Sequence, residues 1–165
     1  MSEENIGFHD VQAVLKTMVE GFLPDVKSAL VTGEWLKARQ EIKVLLGPLA
    51  LAPYVPSVEI APPQMAWTWG AVRAVDGTFN SSLLLRIENV EPQKRNTYLG
   101  IFERELRYQM NQIPNLQFII ETDGVVRGTI YDSFITAGTP GEMAQGAHYA
   151  VRDAWFGRVW ILKEG

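Results

Sequence analysis

The two histidines are the residues best suited to acid–base chemistry in this sequence, because it contains no cysteine. An imidazole titrates near neutral pH, so a histidine can carry protons or bind a metal ion. His9 lies where a helix is expected to begin, and His148 lies where a strand is expected to begin. Nothing in their spacing brings them side by side, as a catalytic pair requires. The sequence therefore favours structural positions for both.

Acidic and glycine-rich motifs give no stronger case for catalysis. The sequence lacks the acidic loop of calcium sites, the P-loop and the Gly-x-Ser-x-Gly elbow of hydrolases. The segment Gly138-Thr139-Pro140-Gly141 has no lysine for a phosphate, so residues 137–146 are interpreted as an exposed connection. The acidic side chains are spread over separate segments: Glu88, Glu91, Glu121, Asp123 and Asp132. We therefore predict a protein that is not an enzyme and that uses no metal or cofactor.

The composition of the chain excludes several further classes of protein. The 165 residues are 47% hydrophobic and 21% charged, as in an ordinary folded domain. The net charge of −4 argues against a general nucleic-acid or membrane-surface binder. No apolar run reaches 18 residues, so no membrane span is expected, and the acidic start Met1–Asn5 does not have the pattern of a secretory signal. The absence of cysteine excludes disulfides and thiolate metal sites.

Residues 1–52 are predicted to form a helical N-terminal region. Apolar residues recur at helical spacing from Phe8 to Phe22, and Pro24 is expected to begin a second helix. Residues 34–46 are predicted to form a third helix that ends at Gly47-Pro48. Residues 53–165 are predicted to form an α+β unit that packs with this region.

Strands are expected in four parts of that unit. The prolines around residues 57–61 allow one short edge strand. Residues 65–90 read as a hairpin with an exposed turn at Asp76-Gly77, and Asp123-Gly124 marks a second hairpin turn. Residues 147–162 read as a closing strand.

Residues 93–113 are the clearest predicted helix, with an apolar stripe that includes Phe102 and Leu106. The basic residues of this helix are interpreted as a solvated face with internal ion pairs rather than as a phosphate site. Together these elements predict an α+β fold: an antiparallel sheet with a long amphipathic helix packed on one face.

The tryptophans are the candidate assembly residues. Trp67 and Trp69 are two residues apart on one strand, so they should share a face. Trp155 and Trp160 are an odd number apart, so in an unbroken strand they point to opposite faces. We predict that at least one pair lies in a subunit interface. The alternatives are helices on both faces of the sheet, or a bulge near Gly157.

The order of these elements resembles that of tail terminator and head–tail joining proteins of tailed bacteriophages. The resemblance covers residues 53–165 and depends on element order. The segments that carry it are PSVEI at 56–60, SLLLRIE at 82–88, the helix at 93–113 and GRVWIL at 157–162. The N-terminal region departs from it, because it is longer than a single helix.

The resemblance implies a virion protein that forms a homohexameric ring at the end of the tail tube. Its partners would be further copies of itself, the tail tube protein and the head connector, and DNA would pass through the ring without specific binding. One contact loop, at Asp76-Gly77 or at Gly138, Thr139 and Gly141, is expected to touch a neighbour. Two alternatives remain open: a small-ligand or enzymatic α+β domain, and a protein-interaction adaptor outside phages.

Overall fold

The structure is a computed structural model that describes residues 6–48, 55–70, 74–88, 90–112, 118–144 and 148–161. Across these residues the chain forms two helices and a mixed sheet of seven strands, in agreement with the α+β class. The sheet order is β1-β2-β4-β7-β6-β5, and β3 also pairs with β4. In chain order the elements are α1 (Phe8–Thr32), β1 (Lys43–Leu46), β2 (Ser57–Ile60), β3 (Gln64–Trp69), β4 (Ala74–Ile87), α2 (Pro92–Asn111), β5 (Phe118–Thr122), β6 (Val125–Ala144) and β7 (His148–Ile161).

Helix α1 continues through Pro24, so the predicted break there is wrong. Proline removes one backbone donor, and a helix interior usually loses stability for that reason. Here Pro24 is exposed, so water can satisfy the carbonyl that loses its partner. Buried residues lie on one stripe on both sides of the proline, including Val19, Leu23 and Val26. Packing of that stripe outweighs the missing hydrogen bond.

The predicted helix at residues 34–46 is also wrong, because the chain turns there and enters strand β1. Glu34 has a positive φ of 63°, which ends helical geometry. Trp35 stacks on Tyr98 of α2, with ring centroids 5.6 Å apart. The N-terminal region is therefore helix followed by strand, and not helical throughout.

Strand β2 lies inside the sheet and not at its edge. It pairs in parallel with β1 and antiparallel with β4, so the sheet is mixed and not purely antiparallel. The flanking prolines, Pro56 and Pro62, fall just outside the four strand residues. Those four residues keep every backbone donor and can pair on both sides.

The exposed turn predicted at Asp76-Gly77 is wrong. Both residues are in β4, where they pair with Thr68 and Trp67 of β3 on one side and with β7 on the other. Gly77 is buried, and a Cβ atom at this position would lie 2.6 Å from Cε3 of Trp67. The glycine is required for the close approach of the indole ring and not for a turn.

The exposed connection predicted at residues 137–146 is a strand as far as Ala144. Gly138 pairs with Asp153, and Thr139 pairs with Arg152. Three register shifts interrupt the pairing of β6 with β7, and one of them lies at Gly141. These irregularities accommodate Pro140, whose residue type had suggested a loop.

The turn at Asp123-Gly124 and the long helix are confirmed. Asp123 and Gly124 have φ values of 53° and 77°, as a tight two-residue hairpin turn requires. Helix α2 buries five apolar side chains at helical spacing: Tyr98, Leu99, Phe102, Leu106 and Met110. These residues share one hydrophobic core with α1 and with strands of the sheet.

Truncation of the α2 stripe tests this core. Phe102 and Leu106 are fully buried. Replacing either by alanine should lower the free energy of unfolding by about 2–5 kcal/mol, since the cavity is not refilled. Urea denaturation followed by circular dichroism measures the change. Tyr108→Ala on the exposed side of α2 is the control, and equal losses in both would contradict the assignment.

Candidate assembly surface

Strand β7 has one face in the hydrophobic core, and its opposite face carries the candidate assembly residues. It pairs with β4 without a register shift, from Asp76–Trp160 to Ile87–Tyr149. Alternate residues therefore point to opposite faces. Val151, Asp153, Trp155 and Val159 are buried on one face. Residues of the opposite face include Phe156 and Trp160, and neither is buried.

The exposed face carries a group of apolar side chains that we call the aromatic strip: Ile119, Tyr131, Phe134, Phe156 and Trp160. Tyr131 and Trp160 have ring centroids 5.9 Å apart, as do Phe134 and Phe156. Cross-strand register extends the strip to β5, because Ile119 pairs with Thr129, which pairs with Trp160. Ile119, Trp160 and Phe134 are 59%, 58% and 40% exposed. Exposed aromatic side chains grouped in this way are typical of protein-binding surfaces.

The strip is confined to the β5–β6–β7 side of this face. Toward β2 the same face is buried, and it holds an ion pair between Glu59 and Arg86 with 2.6 Å between Oε1 and Nη1. Leu84 of β4, which pairs with Glu59, is 6% exposed. The apolar surface that a partner could cover on this face is therefore limited to strands β5, β6 and β7.

Trp155 is a core residue, so its assignment as an interface candidate is wrong. It is fully buried, and its ring meets Phe79 edge to face with centroids 5.8 Å apart. The odd spacing predicts that Trp155 and Trp160 point to opposite faces, and their burial shows this. Trp160 stays the interface candidate of the pair.

Trp67 and Trp69 belong to the edge strand β3. Trp67 is half-buried over Gly77 and packs against the core, whereas Trp69 is 56% exposed. A register shift between Thr68 and Trp69 lies between the two rings. Trp69 is therefore accessible to a partner, but the aromatic strip does not include it.

Sequence reasoning missed four members of the strip. Phe156 and Trp160 are an even number of residues apart on β7, so the sequence alone could have placed Phe156 on the same face as Trp160. Tyr131 and Phe134 differ by an odd number, yet both join the strip because β6 shifts register between them. Asp132 has a positive φ of 51° within that shift, and no sequence pattern indicated it.

Asp153 on β7 is a buried carboxyl group. It lies beside Gly138 of β6 and close to Glu103 of α2. It is fully buried, and no N–H or O–H donor among the described residues reaches either oxygen; when protonated, Asp153 donates to the carboxylate of Glu103. A Cβ atom at Gly138 would lie 2.6 Å from Oδ1 of Asp153 and 3.5 Å from Oε1 of Glu103, so both carboxyls flank this glycine. Arg107 donates from Nε to Oε1 of Glu103 at 2.8 Å. Burial, followed by the negative charge of Glu103, raises the pKa of Asp153 to about 8.

An open groove of about 600 Å³ lies between α1 and β1, with Lys16, Lys27 and Lys43 among its lining residues. Lys43 forms an ion pair with Glu41 at 2.9 Å. His9 is exposed at the start of α1 beside Asp10, 3.4 Å away. Among the described residues no group of three or more histidine or acidic side chains could hold a metal ion.

No protein-family model matches the chain, and no curated protein matches it either. Within the described residues, neither helix is long and apolar enough to cross a membrane.

The two tryptophans of β7 should differ in their effect on stability. Trp155→Ala should lower the free energy of unfolding by about 3–5 kcal/mol, because it empties a packed site. Trp160→Ala should change it by about 0.5 kcal/mol or less, because the ring is mostly in water. Guanidinium denaturation measures both, and a large loss for Trp160→Ala would show that the strip is covered within the monomer.

Stability should depend on pH through Asp153. The folded state keeps this proton up to about pH 8, whereas an ordinary aspartate releases it near 3.8. The folded state binds more protons in this window, so the free energy of unfolding falls as pH rises from about 4 to 8. Asp153→Asn should remove this slope and stabilise the protein at pH 8. Urea titrations across this range measure it, with Asp123→Asn as the exposed control, and parallel curves for wild type and Asp153→Asn would contradict the assignment.

Proposed function

We propose that this protein is a non-enzymatic structural subunit of a tailed bacteriophage, and that it forms a ring that terminates the tail tube and joins it to the head connector. The aromatic strip is the observation that carries the proposal. Trp160 and Ile119 are more than half exposed on the single chain, where a neighbouring protein can cover them. Subunit interfaces are enriched in such aromatic residues.

The proposal includes an arrangement in which α1 and α2 cover the face of the sheet opposite the strip. Side-chain hydrogen bonds between the helices and strand backbones support it. Nε2 of Gln12 donates to the carbonyl of Ile60 at 2.9 Å, and Oδ1 of Asn111 accepts from the amide of Ile135 at 2.9 Å. With helices on one face, the strip is left for a partner.

Element order supports assignment to the head–tail junction. A Pro-flanked short strand, a hairpin, a long helix, a second hairpin and a closing strand follow one another, as in the resemblance noted from sequence. The net charge of −4 suits a ring through which DNA slides, since tight binding of phosphates would hinder passage. The protein would then reside in the virion, with copies of itself, the tail tube protein and the connector as its partners.

Replacement of Trp160 by serine in the phage genome tests the function. The variant should fold, since the ring is exposed, but should give unjoined heads and tails or overlong tubes in electron micrographs. Tyr108→Ser is the matched control, because Tyr108 is 57% exposed on α2 and lies outside the strip.

Normal particles from folded variants at Trp160, Phe134 and Ile119 would contradict the proposal. Turnover of a small substrate by the wild-type chain, abolished by one side-chain change, would favour the enzymatic alternative. A protein partner found outside any phage would favour the adaptor.

A further inference from the structure

We propose that the C-terminal half of α2, residues 103–111, is a latch on the sheet, and that one proton shared by Asp153 and Glu103 holds this latch closed. When the proton is lost, this half of the helix separates more often from β6 and β7 while the rest of the core stays packed. The inference is independent of the proposed function. It gives a role to an ionisable side chain that lies inside the core.

Asp153 is out of place on the core face of β7. Its neighbours on that face, Val151 and Trp155, are buried apolar residues. Across the sheet it pairs with Leu83 of β4 and with Gly138 of β6, and neither of these has a titratable side chain. Because no described donor reaches its oxygens, the sheet favours the neutral form of this carboxyl group.

Helix α2 brings two charged side chains to this position. Glu103 is 13% exposed and Arg107 is 45% exposed. Gly138 leaves the space in which the carboxyls of Asp153 and Glu103 approach each other. Arg107 holds Glu103 with two donors, Nε to Oε1 at 2.8 Å and Nη2 to Oε2 at 3.4 Å. Among the described side chains, one guanidinium therefore serves two carboxyl groups at the contact between helix and sheet.

The proton determines whether the two carboxyls attract or repel each other. With it, Asp153 donates to the carboxylate of Glu103, which is a charge-assisted bond between strand and helix. Without it, two carboxylates meet in surroundings that screen charge poorly.

The pKa of Asp153 gives the pH range of the latch. Burial and the charge of Glu103 raise this pKa to about 8, and exposure to water on opening returns it toward 3.8. The closed latch therefore keeps a proton that the open latch releases. Opening becomes more favourable as pH rises from about 4 to 8 and changes no further above that range.

The two halves of α2 are anchored separately. The C-terminal half is also held by Asn111, which accepts from the amide of Ile135 at 2.9 Å and donates to its carbonyl at 3.1 Å. These bonds lie beside a register shift of β6, where its pairing with β7 is irregular. The N-terminal half is held by Tyr98, which stacks on Trp35. The C-terminal half can therefore open while the N-terminal half stays in place.

Amide hydrogen exchange of the wild-type chain, measured by NMR, tests the latch. Amides of residues 106–111 should be at least about tenfold less protected at pH 7 than buried α1 residues such as Leu15, because the latch opens without global unfolding. Their protection should fall about tenfold per pH unit between about pH 5 and pH 7, since each opening releases one proton. Equal protection in the two helices, or a local opening that does not depend on pH, would overturn the proposal.

Asp153→Asn is the matching variant, because its amide can donate to Glu103 but does not titrate. It should abolish the pH dependence of protection in residues 106–111. Glu105→Gln on the same helix is the control, since the carboxylate of Glu105 pairs with Arg104 at 3.3 Å, and it should keep the wild-type profile. If Asp153→Asn does not fold, Glu103→Gln replaces it. This change removes a negative charge that raises the pKa of Asp153, so the pH dependence must shrink.

The absence of cysteine allows a second measurement. Met110→Cys places a single thiol on the buried side of the latch. Adding Asp153→Asn should slow the labelling of this thiol by a maleimide at pH 7 at least about tenfold, because closing no longer requires uptake of a proton. Val19→Cys on α1 is the control and should label more slowly in both backgrounds, since it needs global unfolding. A merely structural role for Asp153 predicts faster labelling of Met110→Cys, and unchanged or faster labelling would overturn the latch.

Discussion

The unbroken pairing of β4 with β7 determines both surfaces of this sheet. Because no bulge interrupts it between Asp76–Trp160 and Ile87–Tyr149, side chains alternate strictly along β7. Trp155 thereby enters the core, and Trp160 is left in water. A shift of the register by one residue would exchange the two rings, turning the guanidinium groups of Arg152 and Arg158 toward the core and exposing apolar core residues. The cost of that exchange holds the register and, with it, the position of the strip.

Strand β6 has a different role beside this regular pair. The first of its three register shifts with β7 lies between Tyr131 and Phe134 and lets both rings reach the same face despite their odd separation. Irregular strands bend and turn side chains toward new directions. The aromatic strip is therefore a joint product of one regular strand and one irregular strand, while Gly138 on β6 leaves room for the carboxyls of Asp153 and Glu103.

The sequence predicted elements whose signal is local. The stripe of α2, the turn at Asp123-Gly124 and the opposite orientation of Trp155 and Trp160 all follow from spacing within one segment. Prediction from the sequence failed where contacts between distant parts of the chain determine the local structure. Gly77 reads as a turn residue, but the indole of Trp67 needs the space. Residues 43–46 fit a helical pattern, but pairing with β2 makes them a strand. Trp160 was identified as a candidate because its spacing from Trp155 places the two on opposite faces of a regular strand. Phe134 was missed because a register shift in β6 turns its side chain to the face opposite to the one that simple alternation predicts.

The position of β7 in the chain has a consequence for folding kinetics. This strand lies between β4 and β6, yet it follows every other described element in sequence, and its partners on β4 are up to 84 residues away, as between Asp76 and Trp160. Contacts at such separation form slowly, because a long loop must close first. Until β7 has left the ribosome, β4 and β6 cannot be joined into one sheet, and their edges stay unpaired. Until then, the edges of β4 and β6 that β7 covers in the folded protein are open to wrong strand pairing.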